Sequence, residues 1–140
     1  MTVGPPSPSG LRRGRLYLGL DSSTQSLTAI VLEVDDTAAR VVLDVSLNFD
    51  ETFPQYGTDH GVLPRTRPDE AFSSPLMWAD ALDAMLRRVA DSGLDISRLA
   101  AVSGSAQQHG SVYLNGDAGR MLSRLDPAQR EKFAQMRPPG

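Results

Sequence analysis

Apolar residues follow two rhythms along this chain, alternating at first and then recurring at helical spacing, and the change divides it in two. Leu16-Tyr17-Leu18-Gly19-Leu20 is an apolar strand running into Asp21 and the small polar cluster Ser22-Ser23-Thr24-Gln25-Ser26. A second apolar run, residues 28–34, follows almost at once, which predicts that the polar cluster is the turn between two strands and that Asp21 stands at a strand end. Residues 40–49 form a third strand, with Val41, Leu43, Val45, Leu47 and Phe49 alternating onto one face. Three strands joined by short polar turns make a meander. Residues 50–67 carry Pro54, Gly57, Gly61 and Pro64 without periodicity and read as a long surface loop, of a kind often functional or mobile.

At Ser73-Ser74-Pro75 the rhythm changes, because a serine can cap a helix and a proline suits its first position. Trp78, Leu82, Met85, Leu86 and Val89 then recur at helical spacing, Asp80, Asp83, Arg87 and Arg88 lie off that stripe, and Gly93 supplies a stop. This helix is predicted to cover one face of the sheet, with its Met and Trp in the core. Asp95-Ile96-Ser97-Arg98 is a short turn into residues 99–103, small and apolar enough for a buried strand. That strand ends in Gly104-Ser105-Ala106-Gln107-Gln108-His109-Gly110. Residues 111–114 resume as a strand before a turn at 115–119, and Asp126-Pro127-Ala128-Gln129 opens a helix to about Met136, ended by Pro138-Pro139. Residues 1–14, rich in proline and glycine, have the composition of a flexible leader. The expected fold class is α/β, a mixed sheet with helical cover.

Composition narrows the function more than the fold. At 140 residues the chain is one domain's worth and can bury roughly two-thirds of its unfolded surface. A formal charge of −3, a pI near 5.3 and basic residues scattered apart from Arg12, Arg13 and Arg15 argue against a nucleic-acid surface. Zero cysteines exclude disulfides and thiolate chemistry, which fits a reducing compartment. No apolar run approaches the ~20 residues of a membrane span, and the N-terminus lacks the apolar core of a secretion signal. A soluble cytoplasmic protein with no membrane or nucleic-acid partner is the expectation.

Two stretches carry candidate chemistry, and each has two readings. Backbone N–H groups and hydroxyls converging in the Asp21–Gln25 turn can hold phosphates, with Asp21 beside them to hold a cation or its water shell. The same residues are also ordinary turn formers that bond their own backbone. Gln107, Gln108 and His109, bracketed by Gly104 and Gly110, donate and accept hydrogen bonds as a polyhydroxylated ligand requires. A single histidine in a loop is equally a satisfied structural residue, and His60 is the only other one. Neither a Gly-rich phosphate loop with lysine nor a dinucleotide-binding fingerprint is present.

Taken together, the motifs carry a family resemblance. Leu18-Gly19-Leu20-Asp21-Ser22-Ser23-Thr24-Gln25-Ser26 resembles the opening motif of the FGGY carbohydrate kinases, and Ser103-Gly104-Ser105-Ala106-Gln107-Gln108-His109-Gly110 resembles the sugar-contacting segment of the xylulose-kinase branch. Between them, Pro54-Gln55-Tyr56-Gly57-Thr58-Asp59-His60-Gly61-Val62 and the stretch from Ser74 through Trp78 to Leu82 are similar to the longer, eukaryote-like members of that branch.

The resemblance implies an actin-like, ribonuclease-H-like domain, the incomplete first of two that close around sugar and nucleotide, occupying residues 15–140. It implies that Asp21 is catalytic, near the Mg2+-bound phosphates of ATP, that Ser22, Ser23, Thr24 and Gln25 line the phosphate turn, and that Gln108 and His109 bind the sugar. The implied reaction moves the γ-phosphoryl group of ATP to the 5-hydroxyl of D-xylulose, giving D-xylulose 5-phosphate, by positioning, charge neutralisation and deprotonation of the attacking hydroxyl. Family members are much longer, and their general-base aspartate and adenosine pocket have no counterpart here. The 140 residues alone are therefore expected to be inactive as a kinase. Alternatives are a non-catalytic actin-like remnant that binds nucleotide or sugar, and a kinase for another ketose or polyol. In a full-length parent, Asp21→Asn should lower kcat, and His109→Ala should raise KM for sugar more than for ATP.

Overall fold

The computed structural model describes residues 14–65, 67–108 and 110–123. Its sheet has four strands: β1 (Arg15–Ser22), β2 (Ser26–Val34), β3 (Ala39–Asn48) and β4 (Leu99–Ala106). The order is β3-β2-β1-β4, with β1–β2 and β2–β3 antiparallel and β4 parallel to β1. The predicted meander and mixed sheet are both present. Two polar turns close the meander. Ser23 N–H donates to the Ser26 carbonyl (2.9 Å), and the Asp35 carboxylate accepts from the N–H groups of Thr37 (2.8 Å) and Ala38 (2.9 Å).

Short helix α1 (Phe49–Thr52) follows β3 directly, with the Asn48 side chain accepting from Glu51 N–H at its start. A 3-10 turn at Pro54–Tyr56 and a bridge between Asp59 and Val62 come next, so the stretch expected to be a long irregular loop contains three small, pinned pieces. Long helix α2 (Pro75–Ala90) starts where Pro75 predicted, although the Ser74 hydroxyl accepts no capping bond. Beyond β4, the expected strand at 111–114 is irregular; no described strand lies beside it, and a strand without a partner leaves its N–H and C=O groups unpaired. Within the expected turn at 115–119 the chain begins helix α3 (Ala118–Leu122). The expected helix at 127–136, the leader other than Gly14, and His109 lie outside the described residues.

Burial follows the period-2 pattern on β1 and β2. Leu16, Leu18, Leu27, Ala29 and Val31 pack with Leu47, Phe49, Phe53 and the α2 residues Met77, Ala81, Met85 and Val89 into one cluster. Side chains four apart stack on one helical face, which makes 77-81-85-89 the buried stripe. Leu82 and Leu86, expected on it, are exposed, and Trp78 is half-buried at its edge. The alternation on β3 also breaks: a register shift opposite Val31 and Leu32 inserts one residue, so Val42 turns to the core and Val41 to solvent. Strand β4 was expected to be buried and is mostly exposed, because it is the outermost described strand and α2 packs over β2 and β3.

One polar cluster fastens the end of the sheet where β1 begins. Buried Glu33 forms ion pairs with both Arg40 and Arg98, and Arg98 Nε also donates to the Gly14 carbonyl (3.0 Å). Gly14 is thus a buried part of the fold and not of the leader.

Candidate functional site

Strands β1 and β4 are parallel neighbours, so their C-terminal ends, Ser22 and Ala106, open side by side. Ligands of α/β sheets characteristically bind outside such strand ends, where loops diverge. Just past the ends the ladder continues for one rung, Gln107 N–H donating to the Ser22 carbonyl at 2.8 Å. This rung turns the Gln107 side chain toward the hairpin turn, where Thr24 Oγ1 donates to Gln107 Oε1 at 2.8 Å. The two motifs read as separate stretches are joined by a direct bond.

Around that bond lies a cavity of about 510 Å³. Thr24, Gln107 and Gln108 form one wall, His60, Gly61 and Val62 a second, and Ser73, Pro75 and Trp78 at the start of α2 a third. Arg65 also lines it. The Ser73 Oγ is buried without a hydrogen-bond partner among the described residues. Gln108 makes no side-chain hydrogen bond to another described residue either, so the wall keeps amide and hydroxyl capacity for something else. A smaller space of about 270 Å³, lined by Ser22, Ser23, Trp78, Ala106 and Gln107, adjoins it through shared residues. Aromatic ring, amides and hydroxyls together suit a ligand with both C–H and O–H surfaces.

Asp21 is positioned differently. Its register partners Thr28 and Ser105 share the face of the sheet opposite the buried leucines, so its carboxylate points away from α2. There it accepts a hydrogen bond from the Ser105 hydroxyl and lines a shallow depression of about 310 Å³ with Gly19, Thr28, Ile30 and Ser103. Among the described residues no three His, Asp or Glu side chains converge to form a metal cage. A Mg2+ ion at Asp21 would take its remaining ligands from phosphates and water, as this cation commonly does, and an exposed carboxylate at a strand end fits that role.

The remaining predicted residues divide. Ser22 is at the strand end beside the smaller space. The Ser23 hydroxyl is engaged within its own turn, facing Ser26 Oγ (3.0 Å) and accepting from Ser26 N–H (3.1 Å), which is the ordinary turn chemistry of such a residue. Gln25 serves through its backbone, its carbonyl accepting from Phe49 N–H at 2.9 Å. His109 lies outside the described residues.

Gln107 stood in the amide run that the sequence singled out, though without a role of its own, whereas sequence reasoning missed Trp78, whose helical spacing suggested the core. It did not single out Gly61, which approaches the hairpin turn so closely that a Cβ would stand 1.9 Å from the Thr24 carbonyl oxygen. The His60-Gly61 pair, suited to a turn at positive φ, was the available signal. Arg65 had none.

The chain is similar to xylulose kinases, in agreement with the motif resemblance. It is 41% identical over 112 residues to xylulose kinase 2 of Arabidopsis thaliana, covering 79% of this chain and 20% of that protein. It is 39% identical over 127 residues to the xylulose kinase of Mus musculus, covering 90% and 22%. A probable D-xylulose kinase A of Arthroderma otae is 39% identical over 117 residues, covering 84% and 20%. The chain thus spans about a fifth of the length of these relatives. No family model matches it. Among solved structures, a PPX-GPPA enzyme of Aquifex aeolicus matches with TM-score 0.38 at 10% identity, over 66% of this chain and 26% of that one. An archaeal actin homologue in complex with ADP matches with TM-score 0.35 at 10% identity, over 67% and 38%. These likenesses are loose and concern the fold alone.

Proposed function

We propose, on the premise that this chain is similar over about four-fifths of its length to xylulose kinases, that it forms the sugar-binding part of an ATP-dependent kinase acting on D-xylulose. The observation that carries this reading is the Thr24–Gln107 bond, which brings the hydroxyl turn and the amide tip to one cavity. In that cavity Gln108 hydrogen-bonds the ketose hydroxyls while Trp78 covers the sugar's apolar edge, and His109, the next residue in sequence, is assigned to the sugar by the motif resemblance alone. Ser22, Ser23, Thr24 and Gln25 form the turn that faces the phosphates. Asp21, on the other face of the same strand end, stands by the Mg2+-bound phosphates of ATP. When bound, Mg2+ supplies neutralisation of phosphate charge. The chain's own residues orient the sugar and hold the attacking hydroxyl at the strand ends, away from competing water. A cytoplasmic location accords with ATP as donor and with a chain free of cysteine.

Transfer also needs a base for the hydroxyl proton and a pocket for adenosine, and neither is assigned to a residue of this chain. The expected outcome is sugar binding without turnover by the 140 residues. Calorimetric titration with D-xylulose, alongside coupled ADP release with Mg-ATP, tests both halves. Saturable binding with turnover well below about 1 s⁻¹ is expected. Absence of binding at millimolar sugar would overturn the assignment of the cavity.

A further inference from the structure

The wall formed by His60, Gly61 and Val62 is held in an unfavourable shape. Asp59 and Val62 exchange two backbone hydrogen bonds (2.8 and 3.2 Å), and both residues between them have positive φ, +52° at His60 and +77° at Gly61. Two positive φ values in the middle of a two-residue connection are the mark of a type I′ turn. Glycine adopts it freely, but for histidine the left-handed region costs about 1 to 2 kcal/mol. Beyond the turn's own two bonds, something outside it helps to hold that shape.

That something is the Asp50 carboxylate. Asp50 sits in the first turn of α1, whose own position is set by Phe49, fully buried and donating its N–H to the Gln25 carbonyl. From there Asp50 Oδ1 accepts from Thr58 Oγ1 (2.6 Å) and from Gly61 N–H (3.1 Å). The Gly61 Cα is thereby pressed onto the Thr24 carbonyl, with no room for a side chain. Thr24 in turn holds Gln107. One carboxylate therefore fixes the spacing between two walls of the cavity through a short series of direct contacts.

We propose that Asp50 is a positioning residue of this cavity: its carboxylate clamps the 59–62 turn onto Thr24 and so sets the shape that the sugar meets. The consequence for sugar rests on the D-xylulose reading; the clamp itself does not. Asp50→Ala and Asp50→Asn in the whole chain separate the two. Asparagine keeps an oxygen acceptor at the same place, whereas alanine has none.

Amide hydrogen exchange and the emission of Trp78, the single tryptophan, report the cavity without any ligand. For Asp50→Ala we expect loss of protection at Gly61 and a shifted Trp78 emission, with Leu18 and Val31 still protected, and D-xylulose affinity weakened about tenfold or more. Asp50→Asn should stay within about threefold of the parent. Should Asp50→Ala not fold, Thr58→Ala removes one of the two bonds without touching α1 and should loosen Gly61 to a smaller degree. Unchanged Gly61 exchange and Trp78 emission in Asp50→Ala, or in Thr58→Ala if only that variant folds, would overturn the clamp. If the parent itself fails to bind D-xylulose while Gly61 still loosens in the variant, the clamp stands and the sugar assignment falls.

Discussion

The two ends of the sheet are both polar, and they use polarity in opposite ways. Where β1 begins, Glu33, Arg40, Arg98 and the Gly14 carbonyl bond to one another until the buried carboxylate is paired on both oxygens. Where β1 ends, Thr24 and Gln107 bond to each other but Gln108 and the Ser73 hydroxyl have no partner among the described residues, and they line a cavity. A closed network contributes to holding strands together, whereas spare donors and acceptors around a space are what a ligand requires. The difference lies in pairing, not in the number of polar residues.

If that contrast is right, changes at the closed end should move stability and changes at the open end should move binding. Arg98→Ala should have the largest effect, because it leaves Glu33 buried with only the exposed Arg40 beside it. A loss of about 3 kcal/mol is expected, seen as a fall in Tm on the order of 10 °C, with the cavity intact in the molecules that remain folded. Gly61→Ala comes next, since its Cβ meets the Thr24 carbonyl at a positive φ. Roughly 2 to 3 kcal/mol should be lost on chemical denaturation, and sugar binding with it.

How much of this contrast was legible in the chain itself depends on range. The meander, the Pro75 helix start and the polar strand ends could be read because each is set by neighbours in sequence. The stripe on α2 was misread in favour of large residues: Ala81 is fully buried while Leu82 and Leu86 are exposed, since orientation relative to β2 and β3 decides the matter. The bulge that turns Val41 outward depends on its pairing with β2 and leaves no mark in the alternation. The site was half legible for the same reason. Gln108 and the hydroxyl turn could be singled out by type, but that Thr24 reaches Gln107, 83 positions away, and that Asp21 faces the other side of the sheet are products of register.

Acidification should produce a smaller effect. Hydrogen bonds from Thr58 and from the Gly61 and His60 backbone hold the Asp50 carboxyl below its ordinary value, with the His60 ring charge adding to the same direction. A depressed carboxylate pKa means that the unfolded chain takes up the proton first. The stabilisation is therefore complete above the unfolded value, near 3.8, and is lost as pH falls through the lower folded value. The gap in Tm between the parent and Asp50→Asn should accordingly begin to close as pH falls toward the unfolded value and go on closing below it. Gln108→Ala should leave the unfolding free energy unchanged within about 0.5 kcal/mol, because the side chain is exposed and bonds no other described residue. It should nevertheless weaken D-xylulose about tenfold by calorimetry. A loss of stability without a loss of affinity would make Gln108 a structural residue and blur the contrast.

The most direct test of the open end is a chemical-shift map of the isotopically labelled chain titrated with D-xylulose and, separately, with Mg-ATP. The sugar should perturb the amides of Thr24, Gly61, Gln107 and Gln108 together with the Trp78 indole, the nucleotide should perturb Asp21, Ser22, Ser23 and Ser105, and Glu33, Arg40 and Arg98 should not move with either. Shifts from the sugar centred on Glu33, or none at the strand ends at saturating concentration, would contradict the assignment of that cavity as the binding site.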